Sequence, residues 1–373
     1  MTGALRHLGP AEAAGIALAV EQINAAGGVL GQPVATVNGD SGDEYTSIAS
    51  QTVDRQLAQN VSAIVGATGS SVTAQVIDKI VGAGVVLVSP GDGTDKLAAD
   101  SGLGLYFRLV PPDAAQATVL AHLLKQQGRH RIAVLHVRDL YGAALASELG
   151  RDLVSAGAQV VASVEYDGQA GTYSAEASQV SAALPDAVVL VGAGETTSMI
   201  TALSAARVGP AQVPLYLSDL DLSNVLAQGL PNGVMAGTQG VRAGAVPDPG
   251  FLTALAAATP GLVDVGYAAQ AYDAVMMIAL AADAAHSTSA RAIAAQLTQV
   301  GTGLTVCASY RSCLALLTSD RTIAYHGASG PLPLAAGGSL MSGTFGIYRF
   351  GTNNTYPPAG DTYVAAAVPV TAQ

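Results

Sequence analysis

A chain of 373 residues with 27 Asp and Glu against 16 Lys and Arg has little with which to neutralise phosphates, so nucleic-acid binding and a polybasic membrane patch are excluded. Half of the residues are hydrophobic and only 12% charged, yet the most apolar window, 263–285, contains Asp264, Gln270, Asp273 and Asp283 and reads as a buried amphipathic helix, not a membrane span. The length predicts two domains, each able to bury its own core, and with them an interdomain cleft.

Short runs rich in Val, Ile and Leu alternate with longer helical patterns. Pro10 and the pair Gly27-Gly28 bound a first helix over 10–25. A strand is expected over 32–38, a helix over 44–58, a strand over 61–66, a helix over 70–82 and a strand over 84–89. The rhythm breaks at YFRLVPPD (106–113), where a strand runs into a double proline. Helices over 113–127, 141–156, 174–183 and 195–207 then alternate with strands over 131–137, 158–165, 186–192 and 214–218, and a short helix is expected near 221–228. A second break falls at GTQGVRAGAVPDPG (237–250). Two helices, a cysteine pair, and short strands in SGPLPL and SGTFGIYRF complete the chain. Continuous apolar strands spaced by helices indicate parallel sheets covered on both faces, an α/β fold. The two breaks enclose one complete βα domain, so the chain crosses between lobes at least twice and can open and close as a hinge.

Cys307 and Cys313 are the only cysteines. Six residues apart, they can close a small loop if the chain bends enough to bring their Cα atoms within about 7 Å. A disulfide is therefore expected, with two buried free thiols as the alternative; no further ligands are spaced nearby to make a metal site. A disulfide points to an exported protein. The first residues carry no cationic segment followed by an apolar stretch, so any export signal is expected to have been removed.

The segments AVEQINAAGGVLGQPV (19–34), IVGATGSSVTAQV (64–76), GVVLVSPGDGTDKL (84–97), YFRLVPPDAAQA (106–117), LYGAALASEL (140–149), YAAQAYDAVMMIA (267–279) and YHGASGPLPL (325–334) occur in an order and spacing that resembles the type I solute-binding proteins of ABC importers, the group that includes the branched-chain amino-acid receptors. The resemblance implies two doubly wound parallel-sheet lobes joined by three crossover strands, the third near Thr344–Tyr348, with ligand held between them. It divides the chain into residues 1–109 plus 243–343 for the first lobe and 110–242 plus 344–373 for the second. It also implies an extracytoplasmic location with a possible lipid anchor, an ABC permease as partner, a monomer, and neither cofactor nor metal. Members of the family begin with a strand that ends at a segment like Met1-Thr2-Gly3, and here that strand is absent.

In an open α/β sheet, ligands bind beyond the carboxyl ends of the strands. The loop Gly66–Ser71 lies at such a place and leads into a helix, whose free N–H groups and dipole favour a carboxylate. Ser70 matches the serine that holds the ligand carboxylate in the amino-acid receptors, with Ser71 beside it; the alternative for Ser70 is a helix N-cap. The next strand end offers Gly91, Gly93 and Thr94. On the opposite wall, Asp219 stands where the family binds the ligand ammonium, with Asp221 close by, and its alternative is a turn aspartate. Tyr141 in LYG matches a cleft tyrosine, and Tyr267 is placed to close over the ligand; both have core packing as the alternative. Two departures are evident: Leu8 stands where the receptors often carry an aromatic, and VGAGETT has Gly194 and Glu195 where they carry an aromatic pair. Glu195 adds a polar or acidic contact and permits a more polar or bulkier ligand than Leu, Ile or Val, unless it is a solvated first-turn acid.

An enzyme reading competes, because VGATGSS resembles a dinucleotide fingerprint and Asp92 lies roughly where a ribose-binding acid would. The fingerprint needs a third small residue for helix–sheet packing, and Val72 occupies that spacing. The histidines at 7, 122, 130, 136, 286 and 326 show no ligand spacing. A sensor of amino acids or amides is a further alternative, since fold alone does not choose between transport and sensing.

Overall fold

The computed structural model describes residues 1–100, 103–341, 343–358 and 362–364. Strands Ala63–Val65, Val86–Ser89 and Tyr106–Arg108 pair in parallel and in that order. Val86, Leu87 and Val88 are fully buried because helices cover both faces of the sheet, which is why the run is continuously apolar. The Ala268–Ala285 helix is buried along most of its length, where the 263–285 window predicted a buried helix. Its small residues let the Gly9–Ala25 helix come very close: a Cβ on Gly15 would stand 2.1 Å from the carbonyl oxygen of Ala268.

The second lobe is a seven-stranded sheet in the order Thr362–Val364, Phe345–Arg349, Gln239–Ala243, Leu215–Leu217, Ala187–Val191, Arg131–Val137, Gln159–Tyr166. Its last five strands are parallel, and Phe345–Arg349 joins them antiparallel to Gln239–Ala243. The chain passes between the lobes after Tyr106–Arg108, around Gln239–Ala243, and at Phe345–Arg349. Backbone bonds tie these passages side by side: Gly244 N–H donates to Thr344 O at 2.8 Å, and Asp113 N–H to Gly93 O at 2.9 Å. The α/β fold of two parallel-sheet lobes is therefore the one the alternating pattern implies, and the third crossing is the one the family resemblance implies. Residues 359–361 and 365–373 of the expected closing segment lie outside the described residues.

A third, small sheet joins Thr305–Cys307, Ile323–Gly327 and Gly330–Pro331. Cys307 ends its edge strand and Cys313 lies on the Tyr310–Leu317 helix; the chain turns sharply between them, their Cα atoms are 5.3 Å apart, and they form a disulfide. Among the described residues no helix is long and apolar enough to cross a membrane.

Two expectations need correction. Residues 32–38 form no strand beyond an isolated bridge from Val29 to Gln32. Pro33 lacks an N–H, no strand lies alongside, and the backbone groups are met by side chains instead: Asn24 bonds both N and O of Val34, and Gln56 donates to Val37 O. After 250, three helices, not two, precede the cysteines: Pro249–Ala258, Ala268–Ala285 and Ala290–Val300. The Gly261 and Asp264–Gly266 turn breaks what composition alone runs together.

Candidate functional site

Where the lobes face each other, a small, partly open cavity of about 40 Å³ is lined from the first lobe by Ala67–Val72 and the 41–45 loop, and from the second by Asp139, Tyr141, Gly168, Glu195 and Leu220. That is room for about three waters. It is an order of magnitude below the roughly 300–1,000 Å³ of small-ligand pockets.

The floor on the first lobe is the N-terminus of the Ser70–Gly82 helix. Its N-cap is Gly69, which has no side chain to satisfy the first N–H groups, so these orphan donors and the helix dipole face the cavity. Ser70 is therefore the first helical residue, not the cap. It is buried, and its hydroxyl donates to Asp92 Oδ1 at 2.7 Å. The same carboxylate accepts Thr94 N–H at 2.9 Å and the Tyr106 hydroxyl, all inside the lobe. Asp92 is thus engaged by its own loop, the Ser70–Gly82 helix and the Tyr106–Arg108 strand, and is not presented to a ribose. Ser71 Oγ accepts Leu140 N–H at 3.2 Å, a direct tie across the cleft. Thr68 completes the floor and donates to Glu12 Oε1 at 2.6 Å.

Gly91, Gly93 and Thr94 lie behind the cavity lining. Thr94 Oγ1 donates to Asp113 Oδ2 at 3.1 Å, and a Cβ on Gly93 would meet Asp113 Oδ1 at 2.2 Å, so only glycine lets the crossing pass this closely. Burial, with Asp219 and Asp92 nearby, raises the Asp113 carboxyl well above its usual range.

On the second lobe, Tyr141 sits in the lining and donates to Asp219 Oδ1 at 2.7 Å. Tyr267 reaches from the first lobe to Asp219 Oδ2 at 2.5 Å. Both tyrosines are buried, and burial followed by the charge of Asp219 raises their hydroxyls well above the usual value, so they act as donors. Tyr267 caps its helix in the left-handed region at φ 62°. Asp219 stands just behind the lining, and its neighbour Leu220 forms the wall. Leu8, fully buried, packs in the second lobe's core and leaves the lining to Leu5.

Glu195 opens on the cavity at the start of the Thr196–Ala205 helix. Its Oε1 accepts from the Tyr166 hydroxyl at 2.6 Å and from Ala193 N–H at 3.1 Å. Asp221 lies deeper and accepts Gly192 N–H, the Thr196 hydroxyl and the Ser218 hydroxyl at 2.6, 2.6 and 2.8 Å. Burial raises both carboxyls, and Glu195 adds to the rise at Asp221. The sequence reading missed Asp139 and Glu44, which also line the cavity. Asp139 caps the Leu140–Ser155 helix by accepting Gly142 N–H at 2.6 Å; as the acid right after strand Arg131–Val137 and before Tyr141, it carried a legible signal. Glu44 carried none, because its loop follows the stretch that fails to become a strand. Among the described residues, no group of three His, Cys, Asp or Glu side chains is placed to hold a metal ion.

Two α/β lobes closing on a cavity built from strand ends and a helix N-terminus define a binding protein of the two-lobed, hinged class. The chain belongs to the periplasmic binding protein family, whose model matches residues 1–312. It is 29% identical over 349 residues, 90% of this chain and 81% of the other, to the chemotactic signal transduction system substrate-binding protein BasB of Halobacterium salinarum. It is 30% identical over 162 residues to the leucine-, isoleucine-, valine-, threonine-, and alanine-binding protein of Pseudomonas aeruginosa, a match that spans 43% of each chain. The branched-chain amino acid transporter substrate binding protein LivJ of Streptococcus pneumoniae, solved with isoleucine, superposes with a TM-score of 0.79 over 97% of both chains at 20% identity.

Proposed function

We propose that this chain is an extracytoplasmic, non-catalytic receptor that closes its lobes on a small amino-acid-like solute and presents the closed form to an ABC permease. The lobes are proposed to comprise 1–109 plus 243–343 and 110–242 plus 344–373. One observation carries the reading: the cavity joins an uncapped helix N-terminus at Gly69–Ser71 to an acidic wall containing Tyr141, Glu195 and, behind it, Asp219. The helix terminus suits a carboxylate and the acids suit an ammonium, so the two ends of an amino acid are met by different lobes.

Because the cavity is far smaller than such a ligand, the solute enters an opened form. Tyr267–Asp219 and Ser71–Leu140 are contacts across the cleft that opening breaks. Ligand then shifts the open–closed equilibrium by its differential affinity for the closed state. A second reading, delivery to a sensory transducer, is favoured by the similarity over most of the chain to a chemotactic substrate-binding protein. Its discriminator is which membrane partner co-purifies with the liganded form.

The test is a thermal-shift screen of amino acids, amides and aromatic acids, with native mass spectrometry of gently purified protein to find a retained solute. NAD raising the melting temperature while no such solute does sinks the reading. Ser70→Ala, which takes a donor from Asp92 beneath the cavity floor, and Asp219→Asn, which disturbs the Tyr141 and Tyr267 bonds behind the wall, should each weaken the identified ligand by about 1–3 kcal/mol through the positioning of floor and wall.

A further inference from the structure

Four acidic side chains, Asp43, Glu44, Asp139 and Glu195, line the cavity; no Lys, Arg or His joins them among the described residues, and the Met1 amino group in the lining pairs with Asp40 at 3.8 Å. An amino acid with a neutral side chain brings one negative and one positive charge. The helix N-terminus at Gly69–Ser71 answers the first, and one acid answers the second. The remaining carboxylates are in excess for such a ligand, and in a closed cleft they repel each other.

Their environment shows that this is not a solvated rim. Asp139 and Glu195 are half-buried, and Glu44 acts on both across the cleft. Burial is the main cause of the rise in both carboxyls, with Glu44 adding to each. Glu195 uses only Oε1 for the Tyr166 hydroxyl and Ala193 N–H; Oε2 accepts no hydrogen bond from the described residues. The Ser70 hydroxyl, which a second ligand carboxylate would need, is already directed into Asp92. The cavity thus has unused carboxylate acceptors, and its unused donors beyond the helix terminus are uncharged side chains such as those of Ser41 and Gln169.

We infer that the solute carries net positive charge: an amino acid with a second ammonium or a guanidinium group on its side chain, whose cationic end is held between Glu44, Asp139 and Glu195. This rests on the receptor reading above. The charge count in a cavity facing two lobes explains why acids from both the 41–45 loop and the second lobe meet here, which a neutral side chain would not require.

The experiment is calorimetric titration and thermal shift of the whole chain with lysine, ornithine and arginine against leucine, isoleucine and benzoate. A cationic amino acid should bind at least tenfold more tightly than leucine. Glu195→Gln, which keeps the Tyr166 and Ala193 bonds, and Glu44→Gln on the cavity edge should each weaken the cationic ligand about tenfold more than they weaken leucine. Leucine, isoleucine or benzoate binding as tightly as the cations overturns the inference and leaves the receptor reading intact. If no member of the panel stabilises the protein, the inference falls, and the receptor reading is decided by the wider screen with NAD. A cationic ligand that binds with unchanged affinity to both variants also overturns the assignment of its site.

Discussion

Glu12 offers a test of the site's foundations that needs no ligand. It sits in the first turn of Gly9–Ala25, is 8% exposed, and its Oε1 accepts the hydroxyl of Thr68, a residue of the cavity floor. Burial pushes its carboxyl from 4.5 up to about 7, with the Thr68 hydrogen bond opposing. A folded-state value above the unfolded one means that the protonated form is favoured. The contribution is therefore fully present below about pH 4.5 and is lost as pH rises through about 7. At about 1.4 kcal/mol per pH unit, the interval from 4.5 to about 7 amounts to about 3 kcal/mol of destabilisation at pH 8. Glu12→Gln keeps an acceptor for Thr68 and removes the ionisation. It should raise stability by about 2–3 kcal/mol at pH 8 and change it little at pH 5. Urea midpoints of both proteins at the two pH values give the answer. The difference between them cancels His7, whose burial lowers it to about 4 and so pulls the wild-type pH dependence the other way. Equal effects at both pH values, or a loss at pH 8, would refute the reasoning.

Asp139, raised by burial to about 6 against hydrogen bonds from Gly142 and Tyr141 N–H and with help from Glu44 and Glu195, should make cation affinity pH-dependent. Binding should tighten by about tenfold from pH 5 to pH 7 as this group ionises, and Asp139→Asn, which still caps the helix, should flatten that slope; calorimetry at several pH values checks it. Removing the disulfide by Cys307→Ala with Cys313→Ala should cost about 2 kcal/mol for so short a loop and leave ligand affinity unchanged, because the bond lies in the small third sheet, away from the cavity lining. A change of affinity there would mean that the third sheet is coupled to closure.

Local pattern made most of the second lobe legible. Strands such as Arg131–Val137 and Ala187–Val191 are buried on both faces, so their apolar runs have one reading, and Ser70–Gly82 falls on the expected helix. Pro and Gly clusters likewise marked the crossings, since few other residues suit those turns. The stretch 32–38 defeated the same logic: a strand exists only if another lies beside it, and that is not a property of the stretch itself.

The site divides in the same way. Residues after strand ends, Ser70, Tyr141, Glu195 and Asp219, were nameable because an open α/β sheet gathers such positions at one edge. Their partners were not. That Ser70 donates to Asp92, that Tyr141 and Tyr267 from opposite lobes share Asp219, and that Glu44 faces Asp139 and Glu195 are facts of closure between segments distant in the chain. The sequence by itself determined the α/β architecture and the strand-end positions, because these follow from local periodicity and punctuation, and its motifs in order and spacing carried the resemblance to the family. Only the tertiary structure decided the charge of the cavity, because that depends on which side chains the two lobes bring together and which of them are already paired.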